Sequence, residues 1–435
     1  LVAKGAQCLR RDVETETTMA INTLPQDGAL TVSKAAITQD ASRDNSVVAT
    51  SFGRVALSYF SEIDAARASW LDLQSRAPST CSQSLRWIEA WNRHVAVPKG
   101  AELAITIGSD ETGKPLFVWP FEVVTIGGMR VLRWMGAAHS NYNFASIDPE
   151  FAGAMSSNDI SALLEAAAAQ IGDVSAAILI NQPMEWEGIR NPFANLPYRA
   201  SPDSGYAATL SDDYGALVEN RLGSRTRSSL RRKEKRIKSL GELKFGHCDG
   251  AAENARMLQV YFGQKANRFA EMGIEDTFAD PCHQNFYRDL ATGNNEDGRL
   301  ELSYLKVGDE ISATIGAVRY QNNYNLFLLS MTDGEAMRWS PGLLLICEEI
   351  KRACGQSVEL YDFGVGSGPH KALWCDQTIA LFDSFVAFHW CGLLVTLPLM
   401  IKASLKRYIK SNARLWSLAM TTRRLLKGRT PSPRA

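Results

Sequence analysis

The sequence predicts an α+β fold built as two units, each a mostly antiparallel sheet flanked by helices. Two observations point there. Alternating apolar runs broken by turn residues recur between Glu102 and Met135 and again between Leu300 and Tyr320, as antiparallel meanders do. Each meander is preceded by segments with helical apolar spacing and followed by an amphipathic helix and a buried strand. At 435 residues the chain is also too long for one ordinary domain.

The elements follow in order. Residues 1–52 are rich in Thr, Ser, Ala, Asp and Gln and are expected to be disordered. The first unit is placed at 53–200. Ile63 to Leu73 and Ser84 to His94 have helical spacing. The meander turns at Asp110-Glu-Thr-Gly113 and Gly127-Gly128, Ile160 to Ile171 is helix, and Ala176 to Ile180 is a buried strand. The second unit, 201–384, repeats that order without residue-level identity. Its strand at Tyr206 to Leu210 is followed by a basic helix, a strand near Glu242 to Phe245, helices over Ala251 to Phe269 and Phe286 to Ala291, and a hairpin around Gly308-Asp309. Residues 385–435 form an apolar and then basic tail. The apolar run 385–401 contains His389 and Pro398 and is short for a membrane span; a closing strand and a packed helix are expected instead.

The unit that points to chemistry is Tyr324 to Ser330, a buried strand, then Ser340-Pro-Gly342 opening an amphipathic helix, then a strand at Val358 to Phe363 returning beside the first. Ser340 suits the N-cap and Pro341 the first helical position. Unpaired N–H groups and the helix dipole converge at such a terminus, where an anion sits well. Glycine at 342 lets backbone approach a phosphate closely.

The order strand, Ser-Pro-Gly, amphipathic helix, Asp362-Phe-Gly-Val-Gly366 and Lys371-Ala-Leu-Trp374 resembles the CelD/BcsL-type branch of the GNAT acyltransferases, which are related to the Fem-like transferases. Trp87-Ile-Glu-Ala-Trp91, Trp119-Pro-Phe121, Asn181-Gln-Pro183 and the basic helix leading into Gly241-Glu-Leu-Lys-Phe245 extend the resemblance over roughly residues 60 to 410. It implies two GNAT-like halves, with the acyl-CoA site in the second. The implied activity is an N-acyltransferase using acetyl-CoA, or another acyl-CoA, on an amino sugar or polysaccharide precursor in exopolysaccharide or cellulose production. Two other readings stay open: a Fem-like aminoacyltransferase drawing on aminoacyl-tRNA, and a non-catalytic scaffold for envelope polysaccharide synthesis.

Under this resemblance Arg338, Ser340, Gly342 and Leu343 are the candidate acyl-CoA residues, the last three through backbone N–H groups. Carbonyl polarisation would fall to backbone N–H groups of Tyr324 to Ser330. Asp362 and Tyr361 are candidates for proton handling, and Lys371 for charge stabilisation or acceptor binding. His370 stands where the family often has Tyr, and the acid that often follows the Gly is absent from Gly366-Ser-Gly-Pro369. The polar run His139-Ser-Asn-Tyr-Asn143 reads as a turn or as a lining of the acceptor cleft.

Composition narrows the partners. Hydrophobic residues make up 45% and charged residues 22%, as in soluble globular proteins. Net charge is zero, but no acid follows Asp383 while ten Lys or Arg lie beyond it. Peripheral membrane contact through this basic tail is therefore one expectation, and docking on an acidic body is the other. Arg221 to Lys238 carries nine Lys or Arg without interleaved aromatics. Nucleic acid other than tRNA is not expected, and the helix is read as flanking the acceptor cleft. The eight cysteines form no CxxC pair, no second His/Cys pair completes a ligand set, and no metal is expected. Gly364-Val-Gly-Ser-Gly368 is neither a Walker loop nor a dinucleotide fingerprint. The first 18 residues lack a leader's apolar core, Met19 is a candidate start, and a cytoplasmic location, with membrane association as a variant, is expected.

Overall fold

A computed structural model describes residues 46–136, 139–293, 298–412, 414 and 415. The first half comprises β1 (Ser46–Thr50), β2 (Gly53–Phe60), α1 (Ile63–Arg76), α2 (Leu85–Trp91), β3 (Glu102–Ser109), β4 (Pro115–Ile126) and β5 (Met129–Trp134). It continues through α3 (Pro149–Ala154), α4 (Ser157–Ile171), β6 (Ala176–Pro183), a small hairpin of β7 (Glu185–Trp186) and β8 (Ile189–Arg190), and β9 (Tyr198–Ala200). Local chemistry sets several of these bounds. α4 opens on a reciprocal capping box between Ser156 and Asp159, and α2 on Ser84, whose side chain accepts from Trp87 N.

The second half comprises β10 (Gly205–Thr209), α5 (Tyr214–Arg221), α6 (Ser224–Lys238), β11 (Leu243–His247), α7 (Ala251–Met272), α8 (Pro281–Thr292), β12 (Leu300–Val307), β13 (Glu310–Tyr320) and β14 (Asn323–Met331). Then come α9 (Pro341–Cys354), β15 (Leu360–Val365), α10 (Pro369–Trp374), β16 (Gln377–Ile379), β17 (Leu381–Ala387) and α11 (Leu393–Ser411).

The two large sheets run β1-β2-β3-β4-β5-β6-β17-β9 and β11-β12-β13-β14-β15-β10-β16. Each contains a parallel pair, β5 with β6 and β14 with β15, among antiparallel neighbours. This is the expected α+β architecture of two halves with sheets flanked by helices.

Two local expectations change. β1 lies inside the 1–52 segment expected to be disordered; it pairs with β2 from Ser46↔Leu57 to Thr50↔Gly53, and its hairpin is tied to α4 by Ser51 Oγ donating to Asp159 Oδ2 at 2.7 Å. Residues 1–45 are outside the described range. The expected boundary at 384/385 falls within β17, which leaves the second half and pairs with β6 and β9 in the first sheet. A single residue, Ala380, separates β16 in one sheet from β17 in the other.

One hydrophobic cluster spans the two halves, and each half has a further core of its own. Trp87 packs its ring 4.9 Å from Phe286 of α8 and 4.5 Å from Phe327 of β14, and Trp91 lies 5.4 Å from Phe286. Aromatic pairs of this kind contribute about 0.5–1.5 kcal/mol each beyond area burial. At the rim of this interface Asp289 accepts from Arg86, Arg93 and bonds His94, at 2.6, 2.9 and 2.7 Å.

Candidate active site

The site grows from a gap in the second sheet. β14 and β15 pair only over Asn323–Asn325 and Leu360–Asp362, and then diverge. The divergence begins where the register of β14 against β13 slips: Gly316 faces Leu328 while Ala317 faces Leu326, leaving Phe327 as the extra residue of a bulge. Nothing in the sequence marks that bulge. The amide of Asn141, from the other half, stands at the apex and donates to Leu326 O at 3.1 Å.

The first sheet has the same parallel pair, joined only over Val131–Arg133 and Ala176–Ile178. Beyond that pairing Asn143 N and Nδ2 donate to Asn181 O and Ile180 O of β6 at 2.9 and 2.8 Å. The second half carries the cleft.

That cleft, about 380 Å³, lies between β14, the start of α9, α6 and the Pro369–His370 turn. Its volume is that of an ordinary small-ligand site. Leu329, Met331, Met337, Leu343, Ile346 and Leu373 give it an apolar interior. Arg225, Lys233 and Arg268 supply cations, and Lys233 Nζ donates to Ser340 Oγ at 2.6 Å. The lining residues of α6 (Arg225, Thr226, Ser229, Leu230, Lys233) share one helical face. The basic helix therefore borders the cleft at the α9 N-terminus.

The sequence-predicted residues separate into groups. Ser340, Leu343 and, just behind them, Gly342 meet at the cleft. Ser340 occupies the N-cap position but adopts the left-handed conformation, φ 55° and ψ 62°, and its side chain makes no cap bond. The hydroxyl is turned to Lys233 instead. Two of the three backbone donors are used locally: Ser340 N donates to Met337 O at 3.0 Å and Leu343 N to Ser340 O at 3.1 Å, because the helix starts with a tight turn. Gly342 is buried, and a Cβ there would lie 2.7 Å from Met331 Sδ. Its missing side chain thus also lets α9 close on β14. Arg338 sits exposed on the single turn Glu335–Trp339 and does not line the cleft.

Tyr361, Asp362 and Lys371 are buried and lie outside the cleft lining. Alternation along β15 sends Tyr361 into the core, where its ring lies 5.5 Å from Tyr324 and 4.9 Å from Phe363. Burial raises its hydroxyl well above the usual phenol range. Asp362 points the other way, to the first half: Oδ1 accepts from Tyr142 OH at 2.8 Å and from Gly364 N at 2.7 Å. Burial pushes its carboxyl up to about 6, against the lowering effect of these donors and of Lys371. Lys371 Nζ donates to Gly364 O and Val365 O at 3.0 and 3.1 Å, holding the end of β15, and burial lowers it to about 8. Gly366 continues this strand end, and Trp374 is buried against Tyr214 at 6.4 Å.

Asn141 and Tyr142 are the residues whose contribution sequence reasoning missed. Their signal was the polar run His139 to Asn143, which does more than turn: it reaches β14 and β15 of the other half. Gly364, at φ 72°, completes the fit, since a Cβ there would come 2.8 Å from the Asn141 amide. His370 lines the cleft, and burial lowers its imidazole to about 4, so it is neutral at neutral pH.

On the other side of the Pro369 turn lies a second cleft of about 620 Å³, whose lining includes Asp203, Ser204, Tyr206, Ser367 and Arg407. Pro369 belongs to both. Among the described residues no group of three His, Cys, Asp or Glu side chains is arranged to hold a metal ion.

A doubled α+β fold with a splayed, bulged parallel pair and a cation-rimmed cleft has the architecture of an acyltransferase. In agreement, residues 224–372, from the start of α6 into α10, match the family described as acetyltransferase (GNAT) domain. Among solved structures FemX is similar in fold, with a TM-score of 0.52 and 12% identity over 73% of this chain and 95% of that one. Weaker likenesses are a tandem GNAT protein from the clavulanic acid biosynthesis pathway (TM-score 0.44, 12% identity, 76% and 98% covered) and the C-terminal domain of a putative lysylphosphatidylglycerol synthetase from Agrobacterium fabrum (TM-score 0.46, 9% identity, 78% and 97% covered). No curated protein matches the chain.

Proposed function

We propose that the chain is an acyl-CoA-dependent N-acyltransferase whose donor is acetyl-CoA and whose acceptor is an amino sugar or polysaccharide precursor. The observation that carries this reading is the cleft beside the end of β14 that has parted from β15. Its interior is apolar enough for an acyl-pantetheine arm, and Arg225, Lys233 and Arg268 are available for the phosphates. The β14 edge beyond Leu326, released from β15, is free to offer backbone N–H groups to the thioester oxygen.

In this reading Asp362 and Lys371 are positioning residues. Lys371 holds the end of β15 through two carbonyls, and Asp362 locks that strand to Tyr142; together with Asn141 they keep the gap open. The acceptor comes from the 620 Å³ cleft across Pro369, where hydroxyls, Asp203 and the Tyr206 ring suit a carbohydrate. Neutral His370, at the turn between the clefts, is placed to accept a hydrogen bond from the amine.

The test is calorimetric titration with acetyl-CoA of the parent and of Lys233→Glu. Lys233 is partly exposed, so reversal of its charge leaves the fold intact, whereas substitution of Gly342 disturbs Met331. Binding by the parent, weakened about tenfold or more in Lys233→Glu, supports the reading; no heat with the parent refutes it. A second reading, a Fem-like aminoacyltransferase, is favoured by Arg231, Arg232, Lys235 and Arg236, which are exposed on α6 beyond the cleft. Salt-sensitive binding of aminoacyl-tRNA without acetyl-CoA binding would select it.

A further inference from the structure

The helix α11 has two faces that differ sharply. Its inner face is seated on the body: Val395 and Thr396 are buried, Lys410 Nζ pairs with Asp203 at 2.6 Å, and Arg407 donates to Ser201 O at 3.1 Å. Its outer face, with the turn that leads into it, carries Trp390, Leu394, Leu397, Ile401, Leu405 and Tyr408, all exposed; Trp390 is 80%, Ile401 63% and Tyr408 62% accessible. From Leu394 these positions advance by three or four residues and so form one continuous stripe. No charged residue interrupts it. Exposed single apolar residues are ordinary, but a contiguous apolar stripe marks a binding surface.

We propose that α11 docks this stripe into the interfacial layer of an anionic lipid bilayer. Charge selects the occupant. Lys402 lies exposed along one edge of the stripe and Arg407, bonded to Ser201 O yet exposed, along the other; no acid follows Asp383, and ten Lys or Arg lie beyond that residue. A helix with an apolar face, a cationic border and aromatic residues at both ends of the stripe matches the chemistry of the headgroup boundary. A second copy of the chain fits less well, since two-fold pairing of α11 would bring the same cations together. The helix lies on the membrane rather than across it: among the described residues no helix is long and apolar enough to span a bilayer. The face of α11 bearing Arg407 and Lys410 borders the 620 Å³ cleft, so docking sets that cleft beside the lipid surface. This inference does not depend on the identity of the donor or the acceptor.

The test is co-sedimentation of the full chain with vesicles of phosphatidylglycerol and phosphatidylcholine, and with phosphatidylcholine alone. The triple variant Leu397→Ser, Ile401→Ser, Leu405→Ser removes apolar surface without changing charge, and its exposed positions leave folding intact, as a circular dichroism melt will verify. Leu71→Ser, at an exposed apolar position on α1, is the control. The parent and the control are expected to sediment with the anionic vesicles, and the triple variant to lose roughly a hundredfold or more in partitioning. No sedimentation of the parent overturns the proposal. So does unchanged sedimentation of the triple variant, which would assign binding to charge alone. A lipid-free dimer abolished by the triple variant would give the stripe to a second copy and also overturn it.

Discussion

Replacing Asp362 with Asn should uncouple the stability of this protein from pH in a defined window. The unfolded chain releases the Asp362 proton around the ordinary 3.8, whereas the folded protein holds it to about 6 because the carboxyl is buried. Between these values the native state binds more protons than the unfolded state, so this group lowers stability as pH rises. Above pH 6 the full penalty, about 3 kcal/mol, is in place. About 1.4 kcal/mol of it develops between pH 5 and pH 8. Asn cannot ionise, yet its Oδ1 can still accept from Tyr142 and Gly364. Asp362→Asn should therefore gain about 1.4 kcal/mol on the parent between those two pH values, whatever their difference at pH 5. Urea unfolding followed by tryptophan fluorescence at pH 5, 6.5 and 8 measures this; groups remote from Asp362 cancel in the difference, while Lys371, held up by the Asp362 charge, titrates lower in the variant and adds to its gain towards pH 8. Parallel stability curves for the two proteins would refute the assignment of a buried, late-ionising carboxyl. Turnover adds a second readout: a positioning role predicts acetyl-CoA-dependent activity within about tenfold of the parent, because the hydrogen bonds survive, whereas a catalytic base would lose several orders of magnitude.

Two other substitutions probe how the halves meet. Gly364→Ala must place a Cβ at φ 72° and 2.8 Å from the Asn141 amide; a loss of about 2–4 kcal/mol is expected. Adding Asn141→Ala should restore the part due to the clash but not the part due to the dihedral, which thermal unfolding of the two variants will separate. Asp289→Ala leaves Arg86, whose side chain is 16% exposed, without its carboxylate at the interface. It should cost about 3 kcal/mol and lower the melting temperature, and Arg86→Ala added to it should recover part of the loss.

What the sequence determined by itself was local. Apolar periodicity located the helices and meanders of both halves, and the order strand, Ser-Pro-Gly helix, parallel strand placed the candidate cleft between β14 and α9. These features follow from the periods of helix and strand and from turn chemistry, which neighbouring residues carry. Tertiary structure decided which of the chemically suggestive residues face that cleft. Strand alternation alone sends Tyr361 and Asp362 to opposite sides, but only packing shows that Tyr361 meets Tyr324, and that Asp362 meets Tyr142, 220 residues away. Ser340 read as a side-chain cap until Lys233, from another helix, took its hydroxyl. The passage of β17 into the first sheet was not legible either, because a strand's own residues specify which face is apolar but not which edge it will join. The same holds for α11: its apolar residues were visible in the sequence, and only the seated inner face showed that the other side is left exposed.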